Sequence, residues 1–196
     1  MIKRIGILLI LAVAFLAPAS VLAQDDPEAT EAAQVEETAP QYNFSQMNTY
    51  ELFWPLVAGK VPGDRFYKFK AWRDQLMGKL IFSSFKKAEY FKLQANKRLI
   101  EAEKLLEIDR QSFLPTTVDQ SAALLEQGAA LAFAGEASDQ KLWLQEEFAK
   151  DIRKHQVILE RMKEKISEAP KEAVEKALQK INELIERYQL DLARFN

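Results

Sequence analysis

The chain of 196 residues contains no cysteine and a single histidine, with 27 basic and 29 acidic side chains. Without cysteine there are no disulfides or thiolate metal sites, and one histidine cannot build a multi-His zinc site or the two Glu-x-x-His pairs of a bundle di-iron centre. Six of the acids crowd into residues 24–40, which hold no base, leaving 25 basic and 23 acidic residues in 41–196; a balance so near neutral argues against nucleic acid and against a strongly basic membrane-binding face.

Lys3 and Arg4 precede an apolar run from Ile5 to Leu16, then Pro18 and the small-residue pattern Val21-Leu22-Ala23. This is the pattern of a secretory signal peptide over residues 1–23, with cleavage expected after Ala23 and a second acceptable cut at Ala17-Pro18-Ala19. No cysteine follows, so lipoprotein processing is excluded. The expectation is a secreted or periplasmic protein; an uncleaved segment would instead anchor it to the membrane. The 173 residues left after cleavage suffice for one domain that buries roughly 70% of its unfolded surface.

Residues 24–40 are rich in Ala, Thr and Glu and nearly free of large apolar side chains, so they cannot offset the entropy cost of ordering and read as an acidic disordered tether. Residues 41–64 then bring Tyr42, Phe44, Tyr50, Phe53 and Trp54 within thirteen positions, followed by Pro55, Gly59, Pro62 and Gly63. These breakers leave no room for a regular element and predict an aromatic strap over the domain, with a ligand or partner groove as the alternative.

Residues 65–196 predict a bundle of about five helices. The first spans 65–81, with Asp64 as its cap and Phe66, Phe69, Trp72, Leu76 and Leu80 on one stripe. After Ser83 and Ser84, a second helix of about 26 residues carries Ala88, Phe91, Ala95, Leu99, Ala102 and Leu106, its alanines implying a close neighbour. Pro115 breaks the chain; Thr117 and Gln120 have capping-box spacing for a third helix ending near Gly135. Phe148, Ile152, His155, Leu159, Met162 and Ile166 step by four and three. After Pro170 the rhythm resumes in Val174, Leu178, Ile181, Ile185, Tyr188, Leu192 and Phe195. Such seams of period 3.5 belong to coiled-coil-like packing, and the short 167–170 junction implies an antiparallel turn. The fold class is all-α, an antiparallel helical bundle.

Chemistry has little to stand on. His155 lies on the apolar seam, which points to a packed imidazole hydrogen-bonded to a neighbouring helix rather than a ligand or a triad base. Ser-x-x-Lys occurs at Ser83/Lys86, Ser84/Lys87 and Ser138/Lys141, but each serine lies where a helix should begin and no Lys-Thr-Gly partner exists, so N-capping explains all three. No catalytic, cofactor or metal residue is assigned, and no Gly-rich phosphate loop occurs.

The segment from Val61 to Leu106 carries Pro62, Tyr67-x-x-Lys70, Lys87-Ala88-Glu89 and Lys97-Arg98-Leu99-Ile100-Glu101-Ala102; further on come His155 to Leu159, Ala169-Pro170 and Glu172-Ala173. Together these motifs resemble an exported bacterial helical domain of unknown function, over about 110 residues. The family's second proline is replaced by Asp64 or Arg65, and its polar Asp-Pro turn by Ser83-Ser84. The resemblance implies export, helices and life at the cell envelope, with His155 inside a helix seam without companion ligands. The functional expectation is a non-enzymatic extracytoplasmic interaction module binding an envelope protein or peptide. The alternatives are a cell-envelope hydrolase using a Glu or Ser83/Ser84, or a bundle held at the membrane by its uncleaved signal.

Overall fold

The computed structural model describes residues 43–195; the signal-peptide and tether assignments lie outside the described residues. Among those residues there are helices and no strands: α1 (Thr49–Phe53), α2 (Tyr67–Leu80), α3 (Ser84–Glu107), α4 (Leu114–Ala132), α5 (Asp139–Lys165) and α6 (Glu168–Arg187), with 3₁₀ turns at Gln111–Phe113 and Ala193–Phe195.

Cross-helix contacts give the topology directly. Ser121 donates to the Ala95 carbonyl, and Gly128 lies against Ala88, so α3 and α4 run antiparallel. Asn96 pairs with Asp151 and Lys92 with Glu147, which makes α3 and α5 parallel. Lys163–Glu175 and Gln156–Asn182 set α5 against α6 antiparallel, while Lys180–Asp119 and Arg187–Glu126 set α4 parallel to α6. Helices α3 to α6 therefore form an up-down-up-down four-helix bundle, the arrangement that short connections favour. Its core holds much of the expected seam: Ala88, Ala95, Leu99 and Ala102 of α3 cluster with Phe148, Ile152 and Leu159 of α5 and Val174 and Ile181 of α6, all buried, joined by Ile158 and Leu184, while Ile166, Leu178, Ile185, Tyr188 and Leu192 are only partly buried. The alanines of α3 have the close neighbour they implied. A Cβ built on Gly128 of α4 would stand 2.7 Å from Phe148 Cζ and 3.2 Å from the Ala88 carbonyl oxygen, so the helices touch where a hydrogen replaces a side chain.

Several boundaries move. Pro115 does not break the chain: it sits in the first turn of α4, where a missing N–H costs nothing. Thr117 is accordingly inside α4, donating to the Phe113 carbonyl at 2.7 Å instead of capping. Helix α6 stops at Arg187, and Gln189 takes a left-handed φ of 50°. The chain then turns back so that Phe195 stacks on Phe44 at 6.0 Å. Residues 43–54 lie against α5: Phe44, Leu52 and Phe53 are buried, Arg161 donates to the Met47 carbonyl at 2.7 Å, and the Lys154 ammonium sits 5.5 Å from the Phe53 ring centre, while Ala58 and Val61 further on pack with Leu105 of α3. Contrary to the expectation of no regular element in this segment, Asn48 and Glu51 form a reciprocal capping box that starts the short helix α1 ahead of Pro55. Tyr50 and Trp54 from the same segment remain on the surface.

Candidate functional site

Helix α2 stands outside the four-helix bundle, packed chiefly on α3 and antiparallel to it. Its orientation overturns the expectation for residues 65–81. Phe69 is 70% exposed and Trp72 64%, and Phe66, Leu76, Met77 and Leu80 are exposed with them, whereas Asp74 is 7% exposed. Phe82, just past the helix, also faces solvent. A surface helix normally turns such an apolar stripe towards the core; here the polar face is inside.

A compact set of buried charges holds it there. Arg98 of α3 donates through Nη1 to Glu101 Oε2 at 2.6 Å and to Tyr67 Oη at 2.8 Å, and through Nη2 to Asp74 Oδ2 at 3.3 Å. Tyr67 donates to Glu101 Oε2 at 3.2 Å. The Lys70 ammonium reaches the other oxygen of Glu101 and donates to the carbonyls of Ala58 and Lys60 at 3.0 and 2.9 Å, so its three protons each have an acceptor and the strap is tied to both helices. Arg73 covers the remaining oxygen of Asp74 at 2.9 Å. Gly78 lets α2 close on α3, since a Cβ there would meet Tyr90 Cε1 at 3.2 Å, and Tyr90 donates to the Asp74 carbonyl at 2.6 Å.

The electrostatics follow the burial. Desolvation and then the Glu101 charge push the Tyr67 phenol up to about 12. Burial works against the Arg98 charge, yet Glu101 beside it holds the guanidinium above its usual range. Tyr67, Lys70, Arg98 and Glu101 are residues on which the family resemblance rests, and they meet in this one lock. Asp64, expected as the cap of α2, instead accepts from the Val61 N–H at 2.9 Å and from Arg110 at 2.7 Å, which together lower its pKa. The residue before α2 is Phe66, which supplies no side-chain cap.

His155 is fully buried in α5. Its Nε2 is 2.9 Å from Asn96 Oδ1 on α3, Asn96 in turn donates to Asp151 at 2.6 Å, and the Phe53 ring meets the imidazole edge-on at 5.9 Å. Because the Asn96 amide nitrogen is committed to Asp151, its oxygen faces the imidazole, and the proton sits on Nε2. Burial, against the opposing pull of Asp151, pushes the His155 pKa down to about 4 from 6.5. Between those values the unfolded chain binds the extra proton. The stability held by neutral His155 is therefore complete above about pH 6.5 and falls by roughly 3 kcal/mol as the pH drops towards 4.

The sequence alone suggests that His155→Leu is harmless; Asn96 changes that. Leucine leaves the buried Asn96 Oδ1 without its donor, so the variant is expected to lose about 1 to 3 kcal/mol at pH 8 while showing a shallower loss between pH 6.5 and 4 than the parent. Urea unfolding of both proteins at pH 8, 6 and 4.5 measures the two effects.

Ser83 and Ser138 are caps, accepting from the Lys86 and Lys141 N–H groups at 3.5 and 3.3 Å. Ser84 is not a cap; it is the first residue of α3. The lock is not legible in the sequence, because no local signal separates the buried Glu101 from the more exposed glutamates around it. The available clue was the lone acid, Asp74, on the face of α2 opposite Phe69, Trp72 and Leu76.

Among the described residues no group of three or more His, Asp or Glu is placed to hold a metal ion, and no helix is long and apolar enough to cross a membrane. The family model described as "Domain of unknown function (DUF5667)" matches residues 59–169, which takes in α2 through α5, the lock and His155. No curated protein and no solved structure matches the chain.

Proposed function

We propose that this chain, a member of the DUF5667 family by a match over more than half its length, is a non-enzymatic extracytoplasmic interaction module that docks another component of the cell envelope on the outer face of α2. The observation that carries the reading is the inverted helix: six large apolar side chains exposed on α2 and its first flanking residue, with Phe82 beyond them, over a lock made of buried charges. Together they expose an area on the order of several hundred Å², at the upper end of what a monomer leaves uncovered without a use for it. The lock makes the surface rigid, so docking need not pay for ordering the helix. The signal-peptide pattern of residues 1–23 supports the reading from the sequence side.

Phe69→Ser combined with Trp72→Ser is expected to leave unfolding within about 0.5 kcal/mol of the parent, since both side chains are already in water, while abolishing docking. A photo-reactive benzoylphenylalanine at position 69 should cross-link in intact envelopes, and the same residue at exposed position 179 on α6 should not. Absence of products specific to position 69 would remove this reading.

A further inference from the structure

We propose that the exposed face of α2 lies flat on a bilayer containing anionic phospholipid. The inference rests on the reading of α2 as the docking face and names its occupant. Residues 65–82 hold five bases and one acid, Asp74; Lys70 is committed to the lock, which leaves Arg65, Lys68, Arg73 and Lys79 exposed. The near-neutral balance of the whole domain conceals this segment. Asp74 is buried and shared between Arg73 and Arg98, so no carboxylate of α2 is left to repel a phosphate. At 100° per residue, Phe69, Trp72, Leu76 and Leu80 occupy the middle of the outward face; Lys68 and Lys79 border it on one side and Arg73 on the other. The Arg65 guanidinium covers the Phe66 ring at 5.5 Å.

An apolar, aromatic centre with cationic margins is what a helix lying in a bilayer interface presents: rings enter the acyl boundary and ammonium groups reach the headgroups. With 14 residues, about 21 Å long, α2 can lie on a membrane but not cross one. Other occupants fit less well. A second copy would bring two cationic α2 faces together. The chain's own residues 24–40 match in charge, with six acids, but Val35 is their only large apolar side chain, which cannot cover Phe69, Trp72 and Leu80.

The test uses the full chain with Trp54→Phe and Trp143→Phe, leaving Trp72 as its only indole. Vesicles of phosphatidylcholine with phosphatidylglycerol are expected to shift the Trp72 emission to the blue, and brominated acyl chains should quench it. Lipid partition read from that emission should fall by roughly tenfold or more with Lys68→Gln and Lys79→Gln combined, each surface cation contributing about 1 kcal/mol, and similarly on phosphatidylcholine alone. Trp72 emission that ignores anionic vesicles overturns the proposal, even if the chain pellets with them through residues 5–16. A shift that depends on protein concentration without lipid assigns the face to a second copy and likewise overturns it. Protein cross-links at position 69 together with a silent Trp72 leave the docking reading standing and remove only the lipid; silence in both experiments removes both.

Discussion

Glu101→Ala is expected to lower the unfolding free energy by about 3 to 5 kcal/mol and to release α2 from α3. Glu101 is fully buried and accepts from Arg98, Tyr67 and Lys70. Its loss leaves Lys70 without a carboxylate and Arg98 with only the longer Asp74 contact at 3.3 Å, and breaking a largely buried ion cluster costs that much because the remaining charges keep their desolvation penalty. Hydrogen exchange should show residues 67–80 opening well before the four-helix bundle, since little else joins α2 to it. Glu126→Ala, which removes a partner of Arg187 in a surface pair, should barely move the midpoint. Equal effects of the two substitutions would show that the buried charges do not hold α2. Replacing Arg98, Glu101, Lys70 and Asp74 together by apolar residues of similar size is the converse case, in which stability need not fall.

Gly128→Leu is expected to cost about 3 kcal/mol or more. A first side-chain carbon at 128 already lies within 3 Å of two atoms of the Phe148 ring and 3.2 Å from the Ala88 carbonyl oxygen. Phe148 is fully buried, so its ring has no empty space to enter, and the carbonyl belongs to the α3 backbone. The strain must therefore be taken up by parting α4 from α3 and α5, which opens the tightly packed interior. Thermal melting beside Gly128→Ala separates the effects: alanine gains up to about 1 kcal/mol of helix propensity against a smaller clash, so it should fall well short of the leucine loss. A leucine variant as stable as the parent would show that the helices are not in this contact.

The seams of α5 and α6 were legible from the sequence because a helix that buries one side must repeat its apolar residues every three or four positions; Phe148, Ile152, His155, Leu159, Val174 and Ile181 do so and are all buried. His155 could be placed among them by the same rule. The partner that makes it costly to replace, Asn96, lies 59 positions away on another helix, and no local pattern pairs them. The stripe Phe66–Phe69–Trp72–Leu76–Leu80 obeys the identical rule and points the other way. Periodicity reports that a helix has two unlike faces; it does not report which one meets the protein. That choice was made by Tyr67, Lys70, Asp74, Arg98 and Glu101, whose hydrogen bonds across the two helices form only when α2 and α3 are side by side, with the Ala58 and Lys60 carbonyls completing the Lys70 shell. Helix positions and the four-helix core follow from local spacing and apolar burial, both written along the chain. The outward face of α2 follows from electrostatic satisfaction between distant residues, which exists only once the tertiary structure has brought them within hydrogen-bonding reach.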